Sequence, residues 1–468
     1  MNADEKPEVS YHPDTLSGPL GPPEIDSDAE RKLLRKIDLH LIPVVWMMFL
    51  LSNLDRSNIG NAYSGGMRED LNMTSTQYSI ALLVFFIGYC LGEIPSNMIL
   101  SRFQRPSLYL PGIMFVWGGV AIALAGAKSW VDLTGVRVVL GWAEAGFSPG
   151  VLFFLSSWYR KNEMAKRYCI FWTGSPAAGA VGGLLAGAII KNLNGKVGLH
   201  GWQWLFIIEG VATCVIAVIA VFILPDFPST TRWLTPEEKE LALARISCDG
   251  IGHDDQDIHA SHAACLKACF EDWRIYVFIG LYVMATGALT ITYFIPVLVG
   301  SLGYSGSAIQ YMTVPIYAVC IVSVLVVCFH SDHRRERGLH LAACAGVAAA
   351  SFAVIMGVSA PKARYVLLCV GAAGIWTCIP LILVWVSNVI SWPAEKRAIA
   401  QAATNAAGNA ASIYGAFLWP KTDAPRYFAG FGATLSFLLV CAVLAVIAKA
   451  LFRKYPCPSE GQSAGNRA

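Results

Sequence analysis

Leu39-His40-Leu41-Ile42-Pro43-Val44-Val45-Trp46-Met47-Met48-Phe49-Leu50-Leu51 runs without a break into Ser52-Asn53-Leu54-Asp55-Arg56-Ser57-Asn58-Ile59-Gly60-Asn61-Ala62. Together they read as one helix of the length that crosses a bilayer, about 20 residues. The second part puts a carboxylate and a guanidinium where hydrocarbon is expected, and on insertion scales each such charge near the bilayer centre costs ~3 kcal/mol. Arg56 cannot relieve that cost by losing its proton. Intramembrane charges face the bundle interior, pair with one another and line polar pathways. The alternative is that Asp55 and Arg56 snorkel to water from the helix end. It leaves unexplained the polar run Asn53, Ser57, Asn58 and Asn61, which extends the wet face. The stretch predicts a passage for a polar solute.

The rest of the chain agrees on class. Of its 468 residues, 55% are hydrophobic and 14% charged, against about 25% charged in soluble chains. The expected fold is all-α and integral to the membrane. A net charge of +3 is too small to suggest nucleic acid as a partner. The 13 cysteines are scattered through apolar runs, as at Cys90, Cys169, Cys320 and Cys441, and read as small buried hydrophobes rather than a disulfide framework. His253, His259, His262, Cys265 and Cys269 match no zinc spacing. No phosphate-cradling loop, nucleophile elbow or paired-cysteine motif is present, so neither a metal, a cofactor nor an enzyme is expected.

Apolar runs predict twelve spans, at 39–62, 78–100, 108–127, 133–157, 167–190 and 203–224, then at 274–299, 309–329, 339–359, 364–389, 397–419 and 427–451. The domains follow: a disordered tail over 1–37, a six-helix bundle over 38–224, a linker over 225–272, a second six-helix bundle over 273–452 and a C-terminal tail over 453–468. The fifth and eleventh spans are the weakest, being rich in Gly and Ala. The glycines at 179, 182, 183 and 187 suit close helix packing. Within the linker, Thr235-Pro236-Glu237-Glu238 is a helix start, with Thr as N-cap and Pro at the first position. A short amphipathic helix on the membrane surface is expected there. Basic residues gather in one set of short loops (Arg102, Arg105, Arg160, Lys161, Lys166, Arg167, Arg334, Arg335, Arg337, Lys396, Arg397). By the positive-inside rule the termini and linker are cytosolic. A plasma-membrane monomer is expected, an internal membrane being the alternative.

Two six-span halves resemble the major facilitator transporters, which carry internal repeats of this kind. Three stretches narrow the resemblance. Asp55-Arg56-Ser57-Asn58-Ile59-Gly60-Asn61-Ala62, Gly88-Tyr89-Cys90-Leu91-Gly92-Glu93-Ile94-Pro95-Ser96-Asn97 and Arg137-Val138-Val139-Leu140-Gly141-Trp142-Ala143-Glu144-Ala145-Gly146-Phe147-Ser148-Pro149-Gly150 are similar to the anion:cation symporter family. They are most similar to its fungal branch of allantoate, nicotinate and pantothenate permease-like proteins. The loop after the second span departs from the facilitator pattern, keeping Arg102 and Arg105 but no acid, whereas its second-half copy keeps Asp332, Arg334 and Arg335. These five residues are the expected gating-loop groups. The seventh span lacks the arginine that related carriers of animal organic anions often have there.

The resemblance implies proton-coupled symport of a small organic monocarboxylate, with export of an acidic metabolite or nutrient sensing as alternatives. Arg56 and Glu144 match family positions that face the central cavity. A guanidinium presents a planar donor fork that holds a carboxylate by two hydrogen bonds, so Arg56 is the expected substrate ligand and Glu144 the expected proton carrier. Arg137 lies seven residues before Glu144, two turns away on the same helix face, and looks like part of a proton relay. Asp55 and Glu93 are expected partners of either arginine and further proton-coupling candidates. Asn58, Tyr293, Asn405 and Asn409 complete the expected substrate contacts. Trp376, Trp385 and Tyr414 are offered with Tyr293 as aromatic walls, with charge expected in the first half and aromatic shape in the second.

Overall fold

The computed structural model describes residues 27–102, 105–247, 262–390, 394–415 and 417–455. The first half runs α1 (Ser27–Ala62), α2 (Ser75–Arg102), α3 (Pro106–Ala123), α4 (Trp130–Glu144), α5 (Phe147–Ser156), α6 (Lys161–Trp172), α7 (Gly174–Leu193) and α8 (Gly201–Ile223). The linker carries α9 (Pro236–Ser247) and α10 (His262–Phe270). The second half runs α11 (Trp273–Leu289), α12 (Ile295–Ser301), α13 (Ser307–Arg334), α14 (Gly338–Gly357), α15 (Pro361–Val389), α16 (Ala394–Gly415) and α17 (Phe428–Lys454).

Ten helical segments among the described residues are long and apolar enough to cross a membrane. The other two expected spans are helical for different reasons. The fourth is the pair α4–α5, interrupted at Ala145 and Gly146 directly after Glu144. The eleventh is α16, whose Gln401, Thr404, Asn405 and Asn409 make it too polar to pass as a span by composition.

The expected boundary at residue 38 is corrected. α1 begins at Ser27, because Leu33, Ile37, Leu41 and Val45 recur every fourth residue and are all buried. The first eleven residues of that helix are polar enough to read as tail, yet they anchor the linker. Residues 1–26 lie outside the described residues, as do 248–261, which include His253 and His259.

The expected linker helix starts at Pro236, with a reciprocal cap between Thr235 Oγ1 and the Glu238 amide at 3.2 Å and between Glu238 Oε2 and the Thr235 amide at 2.9 Å. It docks on the starts of α1 and α6 by ion pairs. Arg245, with 0% of its side chain exposed, lies 2.7 Å from Glu30 and 2.6 Å from Glu163. Lys36 meets Glu238 at 2.6 Å, and Arg167 grips Asp38 with two hydrogen bonds of 2.6 and 2.7 Å.

Within the first half α2 packs along α4 and α3 along α8; within the second, α14 packs on α15 and α17, and α11 on α16. The halves meet along two seams, α7 with α13 and α2 with α16. Glycine makes the first seam possible. A Cβ at Gly183 would lie 2.8 Å from the Gln310 carbonyl oxygen, and one at Gly187 2.6 Å from the Tyr311 ring. Such close backbone approach is the way small residues bring membrane helices together.

Candidate functional site

Between the halves lies a cavity lined by residues of both. α1 contributes Phe49, Asn53, Arg56 and Ser57, which share one helix face, and Tyr89 reaches in from α2. Across the gap stand Tyr282, Thr286, Tyr293, Asn405 and Asn409. An adjoining space shares Leu152 and Tyr168 and continues past Ser387, Asn388 and Gln401 toward the linker side. The far side is shut. The Tyr78 hydroxyl donates to the Tyr293 carbonyl at 3.1 Å, and Gln310 Nε2 donates to the Asn61 carbonyl at 3.4 Å. Gly60 lets α1 approach that same Tyr293 carbonyl, which a Cβ there would meet at 2.8 Å.

Arg56 is the chemical centre of the cavity wall. Its Nε donates to Glu144 Oε1 at 2.9 Å. Nη2 lies 2.8 Å from that oxygen but off the hydrogen-bond direction. The guanidinium sits over the Tyr89 ring, 4.6 Å from its centroid, and beside Phe85 at 5.5 Å. This is cation–π support away from water. Glu144 has no exposed surface, and its Oε1 also accepts from the Ser52 hydroxyl. Its Oε2 is buried with no hydrogen-bond partner. The helix breaks immediately after it, and Gly146 at the break abuts Ser96 of α2.

Arg137 is 1% exposed. Its guanidinium lies 5.2 Å from the Phe85 centroid, and Nε and Nη1 have no hydrogen-bond partner. Phe85 therefore contacts both arginines. Their expected carboxylate partners go elsewhere. Asp55 accepts from Trp117 Nε1 at 3.2 Å and Thr213 Oγ1 at 3.0 Å, on α3 and α8. Glu93 Oε1 accepts a long 3.4 Å bond from Asn405 Nδ2, tying α2 to α16 across the seam. Glu209 of α8 is buried with both carboxylate oxygens unpartnered.

Asn58, expected at the substrate, is not among the lining residues. It is fully buried and accepts from Asn61 at 2.7 Å, on the face toward Gly182 of α7. Successive helix residues are turned by about 100°, so Asp55, Arg56 and Asn58 address three different neighbours. Tyr293, Asn405 and Asn409 do line the cavity, and Asn405 Oδ1 accepts from the Tyr282 hydroxyl at 3.3 Å.

The expected division between charged first half and aromatic second half is also corrected. Trp376 packs on Tyr317, Trp385 on Phe278 and Phe452, and Tyr414 on Phe437, none of them lining the cavity. The first half supplies most of the rings: Phe49, Phe86, Tyr89, Tyr168, Phe171 and Trp172. Tyr89 carries the one signal that was available, its place next to Gly88 in the second-span motif and one turn from Phe85.

Among the gating-loop candidates, Asp332 forms its ion pair with Arg337. Arg334 and Arg335 are exposed, and Arg335 ends α13 in the left-handed region at φ 50°. The same corner joins Glu336 to Lys449 at 3.1 Å and to His340 at 2.9 Å. Arg105 is exposed at the cap of α3, and Arg102 is the last residue of α2.

Helical halves around a shut-ended polar cavity, with an ion pair in its wall, define a membrane carrier. The chain belongs to the Major Facilitator Superfamily, whose model matches residues 45–416. It is 37% identical over 413 residues to the MFS transporter prlL of a fungal species (strain NRRL 50135), covering 85% of this chain and 82% of that one. It is 33% identical over 425 residues to the MFS-type transporter efuF of Hormonema carpetanum, covering 90% and 84%. Among solved structures it is similar to a proton:xylose symporter bound to 6-bromo-6-deoxy-D-glucose, with TM-score 0.68, 16% identity and coverage of 88% and 95%. A bacterial homolog of the human lysosomal transporter Spinster, inward-facing and occupied, gives TM-score 0.62, 16% identity and coverage of 89% and 98%. The protein is a multi-pass integral membrane transporter and not an enzyme.

Proposed function

We propose that the chain is a proton-coupled symporter of a small organic monocarboxylate, working by alternating access with the linker side in the cytosol of a plasma membrane. The observation that carries this reading is the Arg56–Glu144 pair in the cavity wall. With both groups ionised the pair is neutral and the cavity has no net demand for an anion. When Glu144 takes a proton it releases Arg56, and a carboxylate satisfies the guanidinium in its place. Proton and anion then enter together because neither buried charge is stable alone. Arg137, which shares the Phe85 ring with Arg56, raises the positive potential at Glu144 and helps it lose the proton when the substrate leaves. Asn405, Asn409 and Tyr293 orient the rest of the solute, and Glu93 joins the halves through Asn405. Asp55 serves as a hydrogen-bonded brace within the first half. The loop groups around Asp332 latch helix ends, with Arg337 as the acid's partner.

Arg56 is the only lysine or arginine among the described lining residues, which favours a monoanion over a dicarboxylate. Symport of one proton with one monoanion moves no net charge, and each pH unit supplies ~1.4 kcal/mol. The test is uptake of a panel of labelled monocarboxylates into proteoliposomes under an imposed pH gradient. Accumulation that ignores the gradient rejects coupling, and a preference for uncharged analogues removes Arg56 from the substrate site. A carrier that moves acids only from linker side to far side is the exporter instead.

A further inference from the structure

Beyond the shut end of the cavity, on the far side, lies a recess between the two halves, lined by Tyr63, Arg68, Tyr78, Phe294, Trp419 and Tyr427. Its walls are aromatic. Tyr63 and Tyr78 stack with centroids 4.1 Å apart, and Phe294 and Trp419 stack at 6.0 Å. The two pairs meet edge to face, Tyr78 against Phe294 at 5.9 Å and 89°. Tyr427 closes the rim beside Trp419, held in the left-handed region at φ 50°. A tyrosine in that conformation is backbone strain retained by its surroundings.

The polar groups of the recess include a guanidinium and a buried indole N–H. Arg68 is half-buried and, among the described residues, makes no ion pair and no side-chain hydrogen bond. Trp419 is 4% exposed, and its Nε1–H has no hydrogen-bond partner. Gly430 lies against the six-membered edge of that indole, where any Cβ would collide with the ring. The indole is therefore fixed in place. The nearby acids are largely committed: Asp70 accepts from Trp202 at 2.7 Å and lies 3.1 Å from His200, and Asp423 accepts from the Ala429 amide at 3.0 Å. Exposed Glu69, beside Arg68, is the nearest competitor.

We propose that this recess is a second binding site, for a small aromatic carboxylate, with its carboxylate on Arg68 and its ring among the stacked side chains. The buried, unpartnered indole N–H of Trp419 calls for an acceptor, the Arg68 guanidinium selects a carboxylate, and edge-to-face rings accept a further ring. The floor of the recess is Tyr78, whose hydroxyl bonds the carbonyl of the cavity residue Tyr293. A ligand here waits one residue layer outside the cavity. The assignment rests on the recess alone and not on the coupling scheme.

The test is equilibrium dialysis of radiolabelled benzoate against the purified full chain in lipid nanodiscs, with benzamide as the uncharged control. The expected stoichiometry is two for wild type, one for Arg56→Gln, one for Arg68→Gln and none for the double variant. Arg68→Gln weakens the recess site at least about tenfold, the loss of a charge-assisted hydrogen bond. Trp419→Phe weakens it about threefold by removing a neutral donor, and Arg68→Lys retains part of the binding. Thermal melts equal to wild type confirm the fold of each variant. Arg68→Gln protein that binds benzoate as wild type does overturns the proposal. So does Arg56→Gln protein that binds none, an outcome that leaves the cavity reading standing. Loss of one site in Arg68→Gln with none lost in Arg56→Gln upholds the recess and rejects the cavity as a benzoate site.

Discussion

Glu144→Gln is the perturbation that separates coupling from binding. In the wild type Glu144 Oε1 accepts from Arg56 and Ser52 with no solvent contact. Glutamine keeps the size and can present a carbonyl oxygen to both donors, but it removes the negative charge and the titration. Two consequences follow. First, the guanidinium loses its counterion, and a charge-assisted hydrogen bond to an anionic group contributes about 1.5–3 kcal/mol. An entering carboxylate no longer competes with Glu144 for that contribution, so its apparent affinity rises by roughly 10- to 100-fold. Second, no proton is taken up and released at this position in each cycle. For one-to-one symport the wild type accumulates substrate about tenfold per pH unit, the equivalent of ~1.4 kcal/mol. The variant is expected to stop at equal concentrations on both sides.

Exchange of labelled for unlabelled substrate needs only the loaded protein to reorient, so counterflow persists in the variant. The measurement is paired: uptake with and without a unit pH gradient, and counterflow with none, in the same vesicles. Tenfold accumulation by Glu144→Gln would refute the assignment of Glu144 as proton carrier and pass it to Glu93. Loss of both activities would make Glu144 a structural partner of Arg56, since a buried charge left unpaired costs about 3–5 kcal/mol.

Further outcomes follow from the same geometry. Arg56→Lys is expected to raise the KM for carboxylate at least about tenfold at matched surface expression, because an ammonium has neither the planar fork nor the stacking on Tyr89; wild-type KM would remove Arg56 from the substrate site. An epitope tag between Asp249 and Asp257 should be reached by antibody only after permeabilisation, and labelling of intact cells would reverse the proposed orientation. Asp272 accepts from Lys396 at 2.7 Å and from the Arg274 amide at 3.1 Å. Its partial burial raises the carboxyl pKa, but Lys396 and the Arg274 amide outweigh that and hold it below the usual aspartate range. A depressed pKa stabilises the fold above the unfolded value, about 3.9, and the gain is lost as pH falls through the folded value. Asp272→Asn should therefore melt lower than wild type at pH 7, with the difference shrinking as pH falls below about 4; a difference that does not shrink on acidification would show that charge is not the cause.

Much of the architecture was legible because it depends on composition along the chain. A run such as Val215 to Ile223 is apolar all round, and hydropathy alone marks it as a span. The linker helix was legible from its first four residues, since capping is local chemistry between Thr235 and Glu238. The start of α1 was not. Its charged residues outnumber its buried ones, and it gains partners only in the fold, from α9 through Glu30 and Lys36 and from α6 through the Asp38–Arg167 pair.

The site was legible in one dimension and not in the other. Helical spacing is fixed by the backbone, so Arg137 and Glu144 had to share a face. The rotation of a helix about its own axis is fixed by what surrounds it. Asp55, Arg56, Ser57 and Asn58 are all polar, so hydrophobic patterning has no purchase on which of them meets the cavity. The decision is made on other helices: Trp117 and Thr213 supply two donors that only Asp55 can meet, and Gly182 leaves the room that Asn58 fills. With those two sides occupied, Arg56 and Ser57 are the residues left facing the other half. The same logic explains the aromatic misassignment. Trp376 and Tyr89 are equally apolar and equally buried, and what distinguishes them is the charge beside the ring. Tyr89 lies under a guanidinium and Trp376 lies against Tyr317. A ring becomes part of this site through its proximity to Arg56, and that proximity is set by Gly88 and Gly141, where α2 and α4 touch backbone to backbone.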